Sequence, residues 1–473
     1  MSDVIEHSSE IIREKTHLGI VIVGHVDSGK STTTGHMIFK CGGISATELA
    51  KLKREANRLG KSSFHFAYYM DHQKEERRRG ITITCTVKEF FTDQYQYAII
   101  DAPGHRDFLS NMFRGASHAD VVLLMVPANK GGFESSIALG EHKTAHHEGQ
   151  TRQHARLCGM LGIKQMIVGV NKMDDPSVDY SQDRFEEIKG EISRMIKGCG
   201  FNPKQTAFIP MSGLQGDNLV EHSDKMPWYE GFNVKTRSGK KVHGYSLLDA
   251  LNDAIEPPER KLDSPFRMPV AGVYSIKGIG EIVVGQIEEG TLVPGTIIKN
   301  ATTGIEGRIL SMQMHHKSVG KALAGDHIGL NIKDIPQGRM PKQGDILYNP
   351  SEGVEIGPVR SFKCVLYVQD HPTKIRPAKD EYRGFTPSVH VRTSKCACRL
   401  TAIHWKRGKT STAGLKIEDP DFIEMNDNAE VTFTPKITFV CTTFDVCEGL
   451  GRIAIMDDKR LIAIGKVIEV DYK

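Results

Sequence analysis

Residues 18–41 read LGIVIVGHVDSGKSTTTGHMIFKC. An apolar run, Leu18–Val23, gives way to Gly24-His25-Val26-Asp27-Ser28-Gly29-Lys30-Ser31, and a helix-compatible stretch follows from Ser31 to Cys41. Strand, glycine-rich loop and helix in that order are the context of the phosphate-binding pattern GxxxxGK[ST]. The glycines let backbone N–H groups wrap a β-phosphate, and the helix N-terminus adds partial positive charge. Lys30 is placed to reach the β- and γ-phosphates. The Ser31 hydroxyl is a candidate ligand for Mg²⁺.

Further apolar runs lie downstream: Tyr97–Ile100, Val121–Val126, Gln165–Val170 and Ala207–Pro210. Between them Arg184–Gly198 carries Phe185, Ile188, Ile192, Met195 and Ile196 at helical spacing. Such alternation predicts a mostly parallel sheet with helices on both faces, ligands binding at the carboxyl ends of the strands. Three of these runs end in polar loops. Asp101-Ala102-Pro103-Gly104-His105 offers a carboxylate for Mg²⁺ and a backbone N–H at Gly104 for the γ-phosphate. Asn171-Lys172-Met173-Asp174 selects the base. Guanine presents two donors, N1–H and its amino group, and one carboxylate accepts from both. Asp174 is that carboxylate, Asn171 can tie its loop to the phosphate loop, and the stem of Lys172 can cover the base. Ser212-Gly213-Leu214 would support the guanine carbonyl. The nucleotide is therefore GTP or GDP.

Between the phosphate loop and Asp101 lies Lys74-Glu75-Glu76-Arg77-Arg78-Arg79-Gly80-Ile81-Thr82-Ile83. The charge run reads as a solvated helix. The Thr82 hydroxyl is a second candidate Mg²⁺ ligand. A segment that contacts only the γ-phosphate is ordered by GTP and released after hydrolysis, which makes a switch.

The pattern changes at Glu256-Pro257-Pro258. Short β-type runs with Gly and Pro turns follow: Ile282–Ile287, Gly295–Lys299, Ile328–Ile332, Val359–Val368, Val431–Thr434 and Leu461–Ile468. These predict two small β-barrels with a break near Asn349-Pro350-Ser351. The expected domains are 1–258, 261–350 and 355–473.

Composition sets the outer limits. The 473 residues carry a net charge of +4, too mild to name a partner. The N-terminus is polar and mixed in charge, unlike a secretory signal, and no apolar run reaches the length of a membrane span. The nine cysteines include no CxxC pair, and the Cys396/Cys398 spacing is too close for half a zinc site. They read as reduced thiols of a cytoplasmic protein. From Lys374 to Lys409 ten basic residues face only Asp380 and Glu381, a balance that suits a phosphate backbone.

With these motifs the chain resembles the translation elongation factors Tu and 1 alpha, over nearly its whole length. GHVDSGKST, RGITI, DAPGHRDF, GQTRQHARL, NKMD and PMSG match the GTPase domain. Gly278-Ile279-Gly280, Gly285, Gly290, Pro294-Gly295 and Met314-His315-His316 match the second domain. Gly384-Phe385-Thr386-Pro387, Val391-Arg392-Thr393 and Leu450-Gly451-Arg452 match the third. Lys61-Ser62-Ser63-Phe64, the insert around Glu141–Gly149 and Ala463-Ile464-Gly465-Lys466 resemble the elongation factor-like branch. The resemblance implies a GTPase that carries aminoacyl-tRNA to the ribosomal A site. It also implies a guanine-nucleotide exchange factor as partner and a single-copy protein. It assigns His105 to positioning the attacking water and Val26 and Ile81 to the apolar gate before it.

Five positions depart from the family pattern, four of them at places that the resemblance puts next to tRNA. Ser110 and Gln343 stand where Lys and Arg are usual, near the tRNA 5′ phosphate. Gln313 replaces a Glu by the terminal adenosine, His327 an Asn by the amino-acid pocket, and Met456 an Arg. Two other functions share the architecture: a termination or ribosome-rescue GTPase, and the GTPase subunit of sulfate activation. The short stretch before the first strand speaks against the rescue type and the basic third domain against the sulfate type.

Overall fold

The computed structural model describes residues 15–71, 74–79, 82, 86–103, 112, 116, 119–138, 149–276, 280–314, 317–336, 338–369, 371, 373–378, 384–408, 411–457 and 460–473. They divide into two compact units between Pro258 and Glu259.

In the first unit, β1 (Thr16–Gly24), β2 (Thr86–Phe91), β3 (Tyr95–Asp101), β4 (Val121–Pro127), β5 (Gln165–Asn171) and β6 (Ala207–Pro210) form one sheet in the order β2-β3-β1-β4-β5-β6. All neighbours are parallel except β2, which runs antiparallel to β3 at the edge. Every residue of β4 is buried, as expected for a strand covered on both faces. The helices α1 (Lys30–Lys40), α2 (Ala46–Arg58), α3 (Gln150–Met160) and α4 (Gln182–Gly198) supply the cover. Ser181 accepts from the Arg184 N–H and starts α4, which buries the five apolar residues of its predicted stripe. A hairpin, β7 (Phe232–Lys235) and β8 (Lys241–Gly244), puts Phe232, Val234 and Val242 into the same core.

The second unit holds two closed barrels. The first contains β9 (Arg267–Ile276), β10 (Gly280–Gln286), β11 (Thr291–Leu292), β12 (Ile297–Asn300), β13 (Glu306–Met314), β14 (Lys317–Ser318), β15 (Ala322–Leu323), β16 (His327–Lys333) and β17 (Ile346–Tyr348). Its order is β12-β17-β9-β10-β16-β13, and β12 pairs with β13 to close it. The second contains β18 (Val359–Val368), β19 (Ser388–Val391), β20 (Ser394–Gly408), β21 (Ile417–Glu418), β22 (Asp427–Pro435), β23 (Arg452–Asp457) and β24 (Arg460–Tyr472). Its order is β19-β23-β24-β18-β22-β20, closed by β19 with β20. Along β18, Phe362, Cys364, Leu366 and Val368 point inward at period two.

The barrels meet through buried charge. Arg392 pairs with Glu288 at 2.7 Å, beside Glu289, which binds Arg267 and Lys261. A Cβ on Gly449 would fall 2.1 Å from Glu288 Oε2 and 2.5 Å from Arg392 Nη2, so any larger residue there would have to displace this ion pair. This corrects the single basic face expected from Lys374 to Lys409. Arg392 is consumed by Glu288. Lys406 is buried, 3.6 Å from the equally buried Asp427. Lys374, Arg376, Lys395 and Arg407 remain exposed; Lys379, Arg383 and Lys409 lie outside the described residues.

Candidate functional site: a guanine-nucleotide cradle

The phosphate loop joins β1 to α1 at the carboxyl end of the sheet. Gly29 has φ 87°, and a Cβ there would sit 2.2 Å from Asn171 Nδ2. Gly24 has φ 150°, with Met125 O 2.2 Å from the Cβ it lacks. Asp27 also takes a left-handed backbone, φ 60°. These conformations turn the loop back on itself, as a phosphate cradle requires. Lys30 is 7% exposed, and its ammonium donates to the carbonyls of His25 at 2.8 Å and Gly24 at 3.2 Å. Burial lowers its pKa to about 8, opposed by Asp101, Asp27 and Asp71. Val26 lies on the same loop, half-buried, with its N–H donating to Gln150 Oε1 at 3.1 Å.

Two loops from β5 and β6 meet this one through a single side chain. Asn171 Nδ2 donates to Ser28 O at 2.8 Å, and its Oδ1 accepts from the Gly213 N–H at 2.8 Å. Asn171 is 3% exposed. Gly213 is confined in turn: a Cβ would lie 2.1 Å from Thr33 Oγ1. Its carbonyl accepts from His36 Nδ1 at 2.9 Å. Lys172 adopts φ 65°, Met173 is fully buried, and Lys172 and Asp174 stay partly exposed. Ser212 is buried and Leu214 is 38% exposed at the loop tip. The predicted base-side and phosphate-side residues are thus joined in one framework.

An acidic pocket sits beside Lys30. Thr82 Oγ1 donates to Asp71 Oδ1 at 3.0 Å and lies 3.2 Å from Ser31 Oγ. Asp101 is fully buried, and neither of its carboxylate oxygens has a well-formed hydrogen bond among the described residues. Burial raises its pKa to about 6, the Ser31 hydroxyl and Lys30 opposing. Burial, and next the charge of Asp101, push Asp71 to about 7. Two hydroxyls and two crowded, buried carboxylates are a hard-oxygen set that fits a divalent cation such as Mg²⁺. Ala102 and Pro103 follow, both buried. Gly80, Ile81, Gly104, His105 and Ser110 lie outside the described residues.

The family model for the elongation factor Tu GTP-binding domain matches residues 15–257, that for elongation factor Tu domain 2 matches 280–348, and that for the GTP-eEF1A C-terminal domain matches 361–468. Elongation factor 1-alpha of Entamoeba histolytica is 42% identical over 464 residues, 96% of each chain. That of Saccharomyces cerevisiae is 40% identical over 463 residues, 97% of this chain and 96% of the other. The chain belongs to the elongation factor 1 alpha/Tu family. It is a translational GTPase that binds GTP and GDP. The fold is shared more widely. The GTPase-like domain of Saccharomyces cerevisiae Ski7 bound to GTP superposes with a TM-score of 0.72 at 18% identity, over 97% of this chain and 98% of that one.

Within this family GTPase, the structure adds residues that the motifs did not reveal. Asp71 joins the acidic pocket. On α3, Gln150 and His154 stand four residues apart on the face toward the phosphate loop. The Gly24 N–H donates to His154 Nδ1 at 3.3 Å, and burial lowers the His154 pKa to about 3, so the imidazole stays neutral. The signal was present as two polar residues at i, i+4 on a buried helix face. The run Lys74–Arg79 is helical, as expected, but it is not simply solvated. Glu76 is 1% exposed. Arg77 makes two 2.7 Å bonds to the Glu55 carboxylate and donates to the carbonyls of Asp71 and Tyr68 at 2.7 and 3.0 Å. Arg77 therefore anchors the backbone that carries Asp71, and through it Thr82.

Among the positions expected to depart from the family pattern, Met456 is 3% exposed and belongs to the barrel core. Gln343 is exposed; Gln313 and His327 are half-buried on neighbouring strands.

Proposed function

We propose that this GTPase delivers aminoacyl-tRNA to the ribosomal A site and hydrolyses GTP on codon recognition. What supports the reading is the 40–42% identity to elongation factors 1-alpha, which spans both barrels as well as the GTPase domain. The exposed Lys374 and Arg376 add a physical reason. They and the buried Lys406 crowd one ring, that of Phe422, at 3.9, 5.4 and 4.1 Å, leaving positive charge for a phosphate backbone. The domains of this reading are 1–258, 261–350 and 355–473, in a single-copy cytoplasmic protein recharged by an exchange factor.

In the site, Asp174 accepts both guanine donors, and Asn171 holds the base loops to the phosphate loop. The N–H groups of Asp27 to Ser31 and the ammonium of Lys30 bind the phosphates. Ser31 and Thr82 would hold Mg²⁺ directly, with Asp101 and Asp71 behind them; the ion would supply neutralising charge at the β- and γ-phosphates. His105 positions the attacking water. His105→Ala is expected to leave GTP affinity nearly unchanged and to slow ribosome-stimulated hydrolysis about a hundredfold, measured as single-turnover phosphate release. A stimulated rate within a few-fold of the unaltered protein would move that role elsewhere.

Delivery itself is tested by filter binding of charged and uncharged tRNA with GTP or GDP across a salt series. The GTP form is expected to bind charged tRNA about a hundredfold more tightly than the GDP form, roughly 2.7 kcal/mol. Ser110 and Gln343 remove two cations, so the log–log salt slope should steepen by up to about 1.5 in Ser110→Lys/Gln343→Arg. Equal affinity with GTP and GDP would turn the assignment to ribosome rescue.

A further inference from the structure

The β7–β8 hairpin has two unlike faces. Phe232, Val234 and Val242 are buried in the GTPase core. The outward side chains are Asn233 and Lys235 on β7 and Lys241 and His243 on β8, all exposed. Lys235 and Lys241 are direct cross-strand partners. Like charges in that position repel and weaken a hairpin. Arg237 and Lys240, also exposed, add two more cations at the turn. Against burial, the hydrogen bonds from Ser238 and Thr236 and then the charge of Arg237 hold the Glu256 carboxyl below its usual range. Lys235, Lys240 and Lys241 form no salt bridge among the described residues. From Tyr229 to Tyr245 the one carboxylate is Glu230.

The turn is held in shape. Glu256 accepts from the Ser238 N–H at 3.0 Å and from the Ser238 hydroxyl. The backbone of Glu256 exchanges bonds of 2.7 and 2.9 Å with the side chain of Gln165, the first residue of β5. The cationic turn therefore lies at the amino ends of the sheet strands, opposite the nucleotide loops. At the other end of the hairpin the stripe Lys241, His243, Tyr245 finishes in aromatics. The Tyr245 ring lies 4.8 Å from His243 and 4.7 Å from His222, and Tyr245 is 37% exposed.

We propose that this face binds an unpaired stretch of RNA, its phosphates on Lys235, Arg237, Lys240 and Lys241 and a base against the exposed part of Tyr245, beside which His243 stands edge-on at 84°. Cations in a row beside an exposed π-face are the recognition chemistry of single-stranded nucleic acid. From Lys241 to Tyr245 the strand rises about 14 Å, room for two or three nucleotides. An anionic membrane would use the same charge, but the rings here carry polar atoms, and among the described residues from Tyr229 to Tyr245 the exposed large hydrophobic side chain is Tyr245 itself.

The test uses the full-length GDP-bound protein and a fluorescein-labelled 12-nucleotide uridine-rich RNA without an aminoacyl group, so it is independent of tRNA delivery. Lys235→Gln/Lys241→Gln is expected to lower the log–log salt slope by about 1.4. Tyr245→Ala should weaken binding roughly five- to hundredfold. A 4-thiouridine version should crosslink to the peptide containing His243 and Tyr245. Lys374→Gln/Arg376→Gln measures what the second barrel contributes, and GDP affinity checks that each variant is folded. Lys241→Glu should melt no lower than the unaltered protein, because it removes the repulsion. Unchanged RNA affinity and slope in the hairpin variants would overturn the proposal. So would crosslinks confined to the barrel, or binding to phosphatidylserine vesicles without binding to the RNA.

Discussion

Asn171→Ala is expected to weaken GDP and GTP binding by roughly 2–6 kcal/mol. Its amide holds the Ser28 carbonyl and the Gly213 N–H at 2.8 Å each, in a site that water does not reach. Removing it strands a buried acceptor and a buried donor, each at about 1–3 kcal/mol. Part of the loss will appear as a lower melting temperature of the nucleotide-free protein, since both loops are packed before the nucleotide arrives. Asn171→Asp keeps an acceptor for Gly213 but turns a carboxylate toward the Ser28 carbonyl, and should be no better. The measurement is the equilibrium affinity for a fluorescent guanine nucleotide, with a thermal melt beside it. A change under about fivefold would mean that the two loops hold their places independently.

Asp174→Asn acts at the base rather than on the framework. Asp174 lies on the loop that Met173 anchors: the Met173 N–H donates to the Met211 carbonyl at 3.2 Å, and its side chain is fully buried. The substitution should leave the fold intact. An amide cannot accept from both guanine donors, so loss of a charge-assisted bidentate pair costs about 2–4 kcal/mol of GTP affinity. Xanthosine triphosphate carries a carbonyl where guanine has its amino group and should bind the variant more tightly than it binds the unaltered protein. Competition of the two nucleotides against a fluorescent analogue reads both effects. Equal GTP affinity in the two proteins would remove Asp174 from base selection.

The nucleotide cradle was legible because its chemistry is local. Each loop follows an apolar strand, and Gly24, Gly29, Lys30, Asn171 and Gly213 lie within a few residues of one. The run Val359–Val368 and the apolar stripe of α4 carry their periodicity in the open. What escaped reading depends on partners far along the chain. Arg77 is tied down by Glu55 and by the carbonyls of Tyr68 and Asp71, none of which periodicity reveals. Arg392 looked like part of a basic face because Glu288, 104 residues away, is invisible to a local window. Strand β20 bears Lys395, Arg399, Lys406 and Arg407, so its charges masked its alternation. Strand β2 and the β7–β8 hairpin are short and carry little apolar periodicity; β2 joins the fold by pairing with β3, and the hairpin by burying Phe232, Val234 and Val242 in the core that holds Leu247 and Leu251.

The closure of both barrels also bears on self-association. A strand at the rim of an open sheet offers unpaired N–H and C=O groups to any other chain in an extended state. Here β12 with β13 and β19 with β20 remove the rims, and the described strands left over in that unit, β11, β14, β15 and β21, are two residues each. In the open sheet of the GTPase unit one rim is β2, marked by Lys88 and Glu89, and the other is β6, four residues ending in Pro210. Charge on one rim and brevity with a proline on the other are the devices that deter edge-to-edge addition. Folded molecules of this protein should therefore stay apart at high concentration, and aggregation should begin from chains whose barrels have yet to close.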